Sequence, residues 1–312
     1  MIDVYRLRTL IQYYSSLGAG GVSAGNEKQI LASLKNTLPF FTHLTKAAIF
    51  GDLYRITVNK RIFGGKNKRI NDIMLLKYPP AEKVTKYGRC NMPGQSVLYA
   101  SFIELISLGE IRPERGDLIT RSHWKVRENQ GLKYCPIFKN QPKKTLNHNM
   151  WNINQEYEEF MKSYPKHVKA AADLIMQFVA DNFTKKVPSD NHLEYIFSAF
   201  FSDIILNELE SGTIEAIYYP SVKNKLSFEN LAIKPAAFDL KYELHSVSES
   251  IVLTDLSDGQ GGIGSQGTCQ CYKRDFDGDK ILWENHPTFY PKWIDINDPE
   301  HGYDFSSPLD QV

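Results

Sequence analysis

The sequence predicts an α+β fold, and three observations carry that expectation. Short apolar runs of strand length recur at about 47–58, 96–100, 214–220, 228–235, 238–244 and 250–256. Between them lie two longer segments, about 153–183 and 191–209, whose apolar residues repeat at helical spacing. In a chain of 312 residues, a 42% hydrophobic share against 23% charged is enough to bury a sizeable core.

The same totals exclude several function classes. A net charge of +1 gives no electrostatic case for nucleic acid or an anionic membrane as the main partner. No run approaches the ~18 apolar residues that span a bilayer. The opening M-I-D-V-Y-R-L-R-T-L lacks the basic and then apolar regions of a secretory signal, so a cytoplasmic location is expected. Four cysteines (Cys90, Cys135, Cys269, Cys271) suit reduced thiols better than a disulfide framework.

In chain order, Val4, Leu7, Leu10 and Ile11 predict an amphipathic helix over 1–17, broken by the Gly- and Ser-rich run at 16–26. A second helix fits 26–37, ending before Pro39. These two form an N-terminal extension (1–46) with no chemistry of its own. The main body, 47–256, opens with A-A-I-F-G-D-L-Y-R-I-T-V, a strand whose apolar residues surround Arg55. A buried arginine there needs an acid or phosphate partner, and the alternative is an edge-strand arginine facing water. Residues 60–72 form a basic loop, either a phosphate grip or a solvated surface; it is not a P-loop.

Residues 88–110 concentrate the chemistry. Arg89 and Asn91 precede a Pro93-Gly94 turn, Val97 to Ala100 read as a buried strand, and Phe102, Leu105, Ile106 and Leu108 predict a helix capped by Ser101. That helix carries Glu104 and Glu110. I-T-R-S-H-W-K-V near 119–126 reads as a strand, with His123 and Trp124 as packing or surface residues, and 138–149 as a loop. The segment at 150–190 is a helical insertion kinked at Pro165. After the strand at 214–220, Ser221 sits just past Pro220, and Asn230 stands at the entrance of the strand 228–235. Residues 257–312 read as a C-terminal tail with little core signal. Within it, Cys269 and Cys271 lack a second Cys or His pair at zinc spacing, and D-F-D-G-D-K fails as a calcium loop. No metal site is expected.

Serine-hydrolase and Rossmann-dehydrogenase chemistries find no support. Ser221 is not in a G-x-S-x-G elbow, and the glycines at 259–267 lack the strand, helix and acid of a dinucleotide fingerprint. Two-carboxylate glycosidase chemistry stays open on residue types, although nothing selects the acid. Arginines, a tyrosine, a glutamate and a serine suit a phosphate-bearing nucleotide whose leaving group needs no protonation.

Four pieces in order then resemble the RES-domain family. They are Leu53-Tyr54-Arg55; Gly88-Arg89-Cys90-Asn91-Met92-Pro93-Gly94 followed by Leu98-Tyr99; Glu110, eleven residues after Tyr99; and Tyr219-Pro220-Ser221 followed by Asn230-Leu231-Ala232. The match covers about 47–245. Cys90 stands where the family usually has an aromatic, Met92 where it has proline, and the helix start lacks S-P-E-T-A.

The resemblance implies an ADP-ribosyltransferase-like mixed sheet core with flanking helices. It implies a NAD-consuming enzyme, as in toxins of toxin–antitoxin or defence systems, that cleaves the nicotinamide–ribose bond as a glycohydrolase or phosphorylase. The alternatives are an ADP-ribosyltransferase acting on a protein or nucleotide, and an inactive nucleotide- or partner-binding module. NAD is then substrate rather than cofactor, and the further partners are an antitoxin protein and, as an option, a second copy of the chain. By the same resemblance Arg89, Tyr99 and Glu110 are catalytic, and Arg55, Asn91, Ser221 and Asn230 bind substrate. Arg55 and Arg89 would clamp the pyrophosphate, Glu110 would stabilise the ribosyl cation, and these residues would converge on one cleft.

Overall fold

A computed structural model describes residues 3–17, 20–38, 43–139, 147–188, 191–222, 226–255, 263–289 and 303–304. The helices are α1 (Val4–Leu17), α2 (Glu27–Thr37), α3 (Asn59–Ile62), α4 (Glu104–Ile111), α5 (His148–Met161), α6 (Lys166–Thr184), α7 (Ile196–Asp203) and α8 (Pro235–Lys241). The main strands are β1 (Lys46–Ala48), β2 (Leu53–Val58), β3 (Asn67–Lys68), β4 (Leu98–Ser101), β5 (Leu118–Val126), β6 (Leu132–Pro136), β7 (Ala216–Pro220), β8 (Glu229–Ile233), β9 (Tyr242–Thr254) and β10 (Gly264–Tyr272). Short strands β11 (Phe276–Asp277), β12 (Lys280–Ile281) and β13 (Tyr303–Asp304) follow. The class is α+β. No helix among the described residues is long and apolar enough to cross a membrane.

The chain divides into two compact units. The first takes Met1–Ala48, Pro79–Val97 and Gly131–Ala237, and the second Ile49–Tyr78, Leu98–Gln130 and Phe238–Val312.

In the first unit β1 pairs antiparallel with β6, β6 parallel with β7, and β7 antiparallel with β8. Its helices meet in an aromatic core. Tyr14 of α1 lies 6.4 Å from Phe178 of α6 and 6.1 Å from Phe197 of α7, and Phe178 lies 5.8 Å from both Phe197 and Phe201. The Tyr14 hydroxyl is not wasted in this core: it bonds Ser33 Oγ and Thr37 Oγ1 of α2, each at 2.7 Å. The N-terminal extension and the helical insertion therefore share one hydrophobic interior. Pro165 separates α5 from α6, as its missing N–H predicts.

In the second unit β4, β2, β5, β9 and β10 form an antiparallel series, with Tyr54 opposite Ser101, Arg55 opposite Ser122, and Val247 opposite both Ser122 and Cys271. Ile56, Val58, Ile119 and Val252 pack beneath Leu108 of α4, which lies across β2. Ser107 Oγ donates to the Tyr54 carbonyl at 2.8 Å and fixes the helix on that strand. A buried ion pair joins Arg69 to Glu249, with Nη2 at 2.7 Å from Oε1 and Nε at 3.2 Å from Oε2.

Several expectations need correction. Ser101 does not cap α4: it ends β4 opposite Tyr54, so its extended backbone belongs to the sheet, and the helix starts at Glu104. The strand expected at 238–244 is helix α8 up to Lys241, with Pro235 at its first position. Phe238 there is fully buried, against Trp124 at 4.8 Å and Tyr242 at 5.6 Å. The strand expected at 250–256 is the end of the thirteen-residue β9. β6 had no counterpart in the strand expectations. Arg69, inside the supposed basic loop, is buried.

The tail also has more structure than its composition suggests. Cys269, Cys271, Ile281 and Trp283 are buried, and Trp283 donates from Nε1 to the Ile70 carbonyl at 2.9 Å. The glycine-rich run at 256–262, and most residues from 290 onward, lie outside the described residues.

Candidate functional site

Arg55, Tyr99 and Glu110 belong to the second unit, and Arg89, Asn91, Ser221 and Asn230 to the first. Each set is held by its own local structure.

In the second unit Arg55 rises from the middle of β2, and its Nη1 donates to the Tyr99 carbonyl of β4 at 3.1 Å. The Nε is buried and has no hydrogen-bond partner. Burial pushes the guanidinium down to about 10, with the nearby Tyr99 phenol acting in the opposite direction. It is still a cation at neutral pH. Among the described residues no carboxylate pairs with it, and β2 lies between β4 and β5 rather than at an edge facing water, which leaves the phosphate option of the sequence reading. A desolvated fork with an unused N–H is suited to oxygen atoms of an anion supplied from outside.

Glu110 sits in the last turn of α4, partly buried, one helical turn beyond the Ser107 that anchors the helix to β2. Glu104, at the other end of α4, lies 3.0 Å from Arg121 Nε. Arg121 also donates from Nη1 to Ser250 Oγ at 2.6 Å and from Nη2 to Ser265. Glu104 is thus a partner of the sheet's own cation.

Sequence reasoning set His123 aside, yet its Nε2 lies 2.6 Å from Asp52 Oδ2. Its ring stacks on Tyr54 at 4.7 Å and meets His245 edge-on at 5.1 Å. This pair flanks Tyr54, the residue next to Arg55. Asp52 and His123 are 71 positions apart, and no local pattern joins them.

In the first unit the predicted residues shape loops and strand ends. Gly88 and Asn91 bridge one another, and Asn91, itself buried, donates from Nδ2 to the carbonyls of Lys86 and Met92 at 3.2 Å. Met92-Pro93-Gly94-Gln95 closes a turn in which Gln95 N–H donates to Met92 O at 3.0 Å; Gly94, at φ 80°, supplies the left-handed residue that a type II turn requires there.

Arg89 points into the C-terminal end of α6. Its Nη1 donates to the Phe183 carbonyl, its Nη2 to the Lys185 carbonyl at 3.2 Å, and its guanidinium lies 5.1 Å over the Tyr195 ring. A cation in that place satisfies carbonyls that the helix end leaves open and matches the negative end of its dipole.

Ser221 is fully buried just after β7, its N–H donating to Phe228 O at 2.7 Å. Asn230 faces Tyr219 across the β7–β8 pair. Beside it, Glu229 is a carboxyl the sequence reading passed over. Burial raises it above the ordinary carboxylate range, while hydrogen bonds from Tyr218, Asn149 and Asn147 act against that shift.

Among known proteins, no protein-family model matches the chain, and no curated protein matches it in sequence.

Proposed function

We propose that the protein is a RES-domain enzyme that cleaves the nicotinamide–ribose bond of NAD, acting as the toxin of a toxin–antitoxin or defence pair. The observation that carries this reading is Arg55: a guanidinium bonded to the Tyr99 carbonyl, desolvated, with a buried unpaired Nε and no carboxylate partner among the described residues. The four motif pieces that resemble the family put an arginine and a tyrosine at these two positions.

The chemistry asks little of the protein. Nicotinamide leaves a cationic nucleotide as a neutral molecule, so no general acid is required. The bond from C1′ of the ribose to the ring nitrogen breaks, the electron pair stays with nicotinamide, and water or phosphate supplies the new bond to C1′. Attack by water releases one proton to solvent. Glu110 stabilises the oxocarbenium-like ribose electrostatically and accepts a hydrogen bond from a ribose hydroxyl. Arg55 takes the phosphate oxygens through its fork. Tyr99 orients the nicotinamide ribose.

A second reading, a RES-like module that binds nucleotide without turnover, is favoured by one specific observation. Arg89, which the resemblance makes catalytic, spends two donors on the carbonyls of Phe183 and Lys185.

The test is NAD consumption by purified protein with and without phosphate, products identified by mass spectrometry, after any co-purifying partner has been removed. Nicotinamide release is expected, with Glu110→Gln slower by about a hundredfold or more and Arg55→Ala raising KM. Intact NAD under both conditions sinks the enzyme reading, and NAD binding without turnover selects the module.

A further inference from the structure

The segment that follows β9 carries chemistry that cleavage of NAD does not use. Cys269 and Cys271 stand two residues apart on β10, so their side chains leave the same face of the strand. Both are buried, Cys271 completely. The two thiols hydrogen-bond each other, and their sulfurs otherwise have only long contacts, 4.0 Å from Cys269 to Trp283 O and 3.9 Å from Cys271 to Leu282 O.

Two further donors come to this place by way of tight turns. Asp275 ends the 3-10 turn Lys273–Asp275 directly after β10 and is 4% exposed. Its Oδ2 accepts from the Tyr272 N–H and from His286 Nε2, each at 2.9 Å. His286 follows the 3-10 turn Trp283–Asn285, which the buried Trp283 indole fastens to the Ile70 carbonyl. One ligand atom each from Cys271, Asp275 and His286 lies within 4.8 Å of the others. The exposed Arg274 lies 4.0 Å from Asp275 Oδ1, and the buried Arg69 is already neutralised by Glu249.

The donor set decides the kind of cation. Thiolates turn away hard ions such as calcium or magnesium, and two sulfurs with one imidazole and one carboxylate suit zinc. Tetrahedral zinc, with bonds of about 2.0 to 2.3 Å, holds its ligand atoms roughly 3.3 to 3.8 Å apart. The ligand atoms of Cys271, Asp275 and His286 are within about 1 Å of that spacing, and Cys269, two residues before Cys271 on the same face of β10, would complete the set. Four protein ligands would leave no open position, which is the mark of a structural site rather than a catalytic one.

We propose that Cys269, Cys271, Asp275 and His286 form a structural zinc site that fastens residues 264–289 to their sheet. On binding, the cation replaces the hydrogen between Asp275 and His286 Nε2, and that hydrogen moves to Nδ1 of the ring. The imidazole coordinates as the neutral ring, and each thiol gives its proton to solvent. The sequence alone missed the set because the second pair of donors is an aspartate and a histidine, four residues after Cys271 and eleven residues after that.

The experiment uses the full chain, reduced and stripped with a chelator, titrated with Co²⁺ and then Zn²⁺. One equivalent of Co²⁺ with a sulfur-to-metal charge-transfer band, displaced by Zn²⁺, is expected. Cys271→Ser and His286→Asn should each weaken Co²⁺ binding by more than the roughly tenfold that loss of an outer partner costs. A readout free of variants guards against misfolding: Zn²⁺ should protect Cys269 and Cys271, and not Cys90 or Cys135, from alkylation mapped by mass spectrometry. Equal alkylation with and without Zn²⁺ in folded, reduced protein overturns the proposal. So does a charge-transfer band of full strength in the Cys269→Ser/Cys271→Ser double variant.

Discussion

Replacing Arg89 with alanine separates two roles that one side chain has been given. The guanidinium donates to the carbonyls of Phe183 and Lys185 and covers the Tyr195 ring. Hydrogen bonds to a charged group contribute about 1.5 to 3 kcal/mol each when buried. Arg89 is partly exposed, so the low end applies. The aromatic contact adds about 0.5 to 1 kcal/mol. Because the three contacts share one group they do not sum freely, and about 3 kcal/mol is the expected loss. Arg89→Lys keeps the charge at the helix end but not the fork, and should recover roughly half of that. The assay is the urea midpoint of parent and variants, read alongside NAD consumption on the same preparations. A change below about 0.5 kcal/mol for Arg89→Ala, the size of an ordinary surface substitution, refutes the helix-end role. If that unperturbed variant also stops consuming NAD, Arg89 belongs to the chemistry.

Two further substitutions test the folded state. Arg69→Met leaves the fully buried Glu249 carboxylate without its cation, and should cost about 3 to 5 kcal/mol in denaturant unfolding; the double variant Arg69→Met/Glu249→Leu should recover most of it, and no recovery would mean that the pair's geometry, not its charge, is what matters. Glu229 is raised in the folded state by burial, so its contribution to stability is whole below the ordinary carboxylate value and is lost as pH rises through the folded value. Glu229→Gln should therefore flatten the fall in unfolding midpoint as pH rises above the ordinary carboxylate value, and parallel curves for parent and variant would contradict the assignment.

Strands β2, β4 and β7 and helix α4 were legible because their signals are local. Leu53–Val58, Leu98–Ser101 and Ala216–Pro220 are short apolar runs, and Ile106 and Leu108 mark the buried side of α4. F-D-L-K-Y-E-L misled for a physical reason: Phe238 and Tyr242 are spaced for one face of a strand and equally for one turn of a helix, and Pro235 decided between them. Trp283 and the two tail cysteines looked peripheral because the segment around them is rich in Asp and Gly, yet Trp283 is tied to Ile70, 213 positions earlier. The use made of Arg89 was equally hidden, since its carbonyl partners lie 94 and 96 positions away. Composition and spacing show which residues can do chemistry; partners that far along the chain decide what each one does.

The alternation of the chain between its two units bears on how the protein is made. Arg55 and Tyr99 are synthesised early, yet the sheet that holds them has β9 and β10 at residues 242–272 as its outer strands. Until those strands leave the ribosome, β5 exposes an unpaired edge, and the unit has no completed core. Pairings this distant close slowly, because loop entropy is lost before any contact compensates for it. A nascent chain truncated between Asn230 and β9 would carry every residue assigned to NAD and still lack the strand that pairs with β5. If the protein arrests growth, its harm begins only after β9 and β10 have been made and paired with β5.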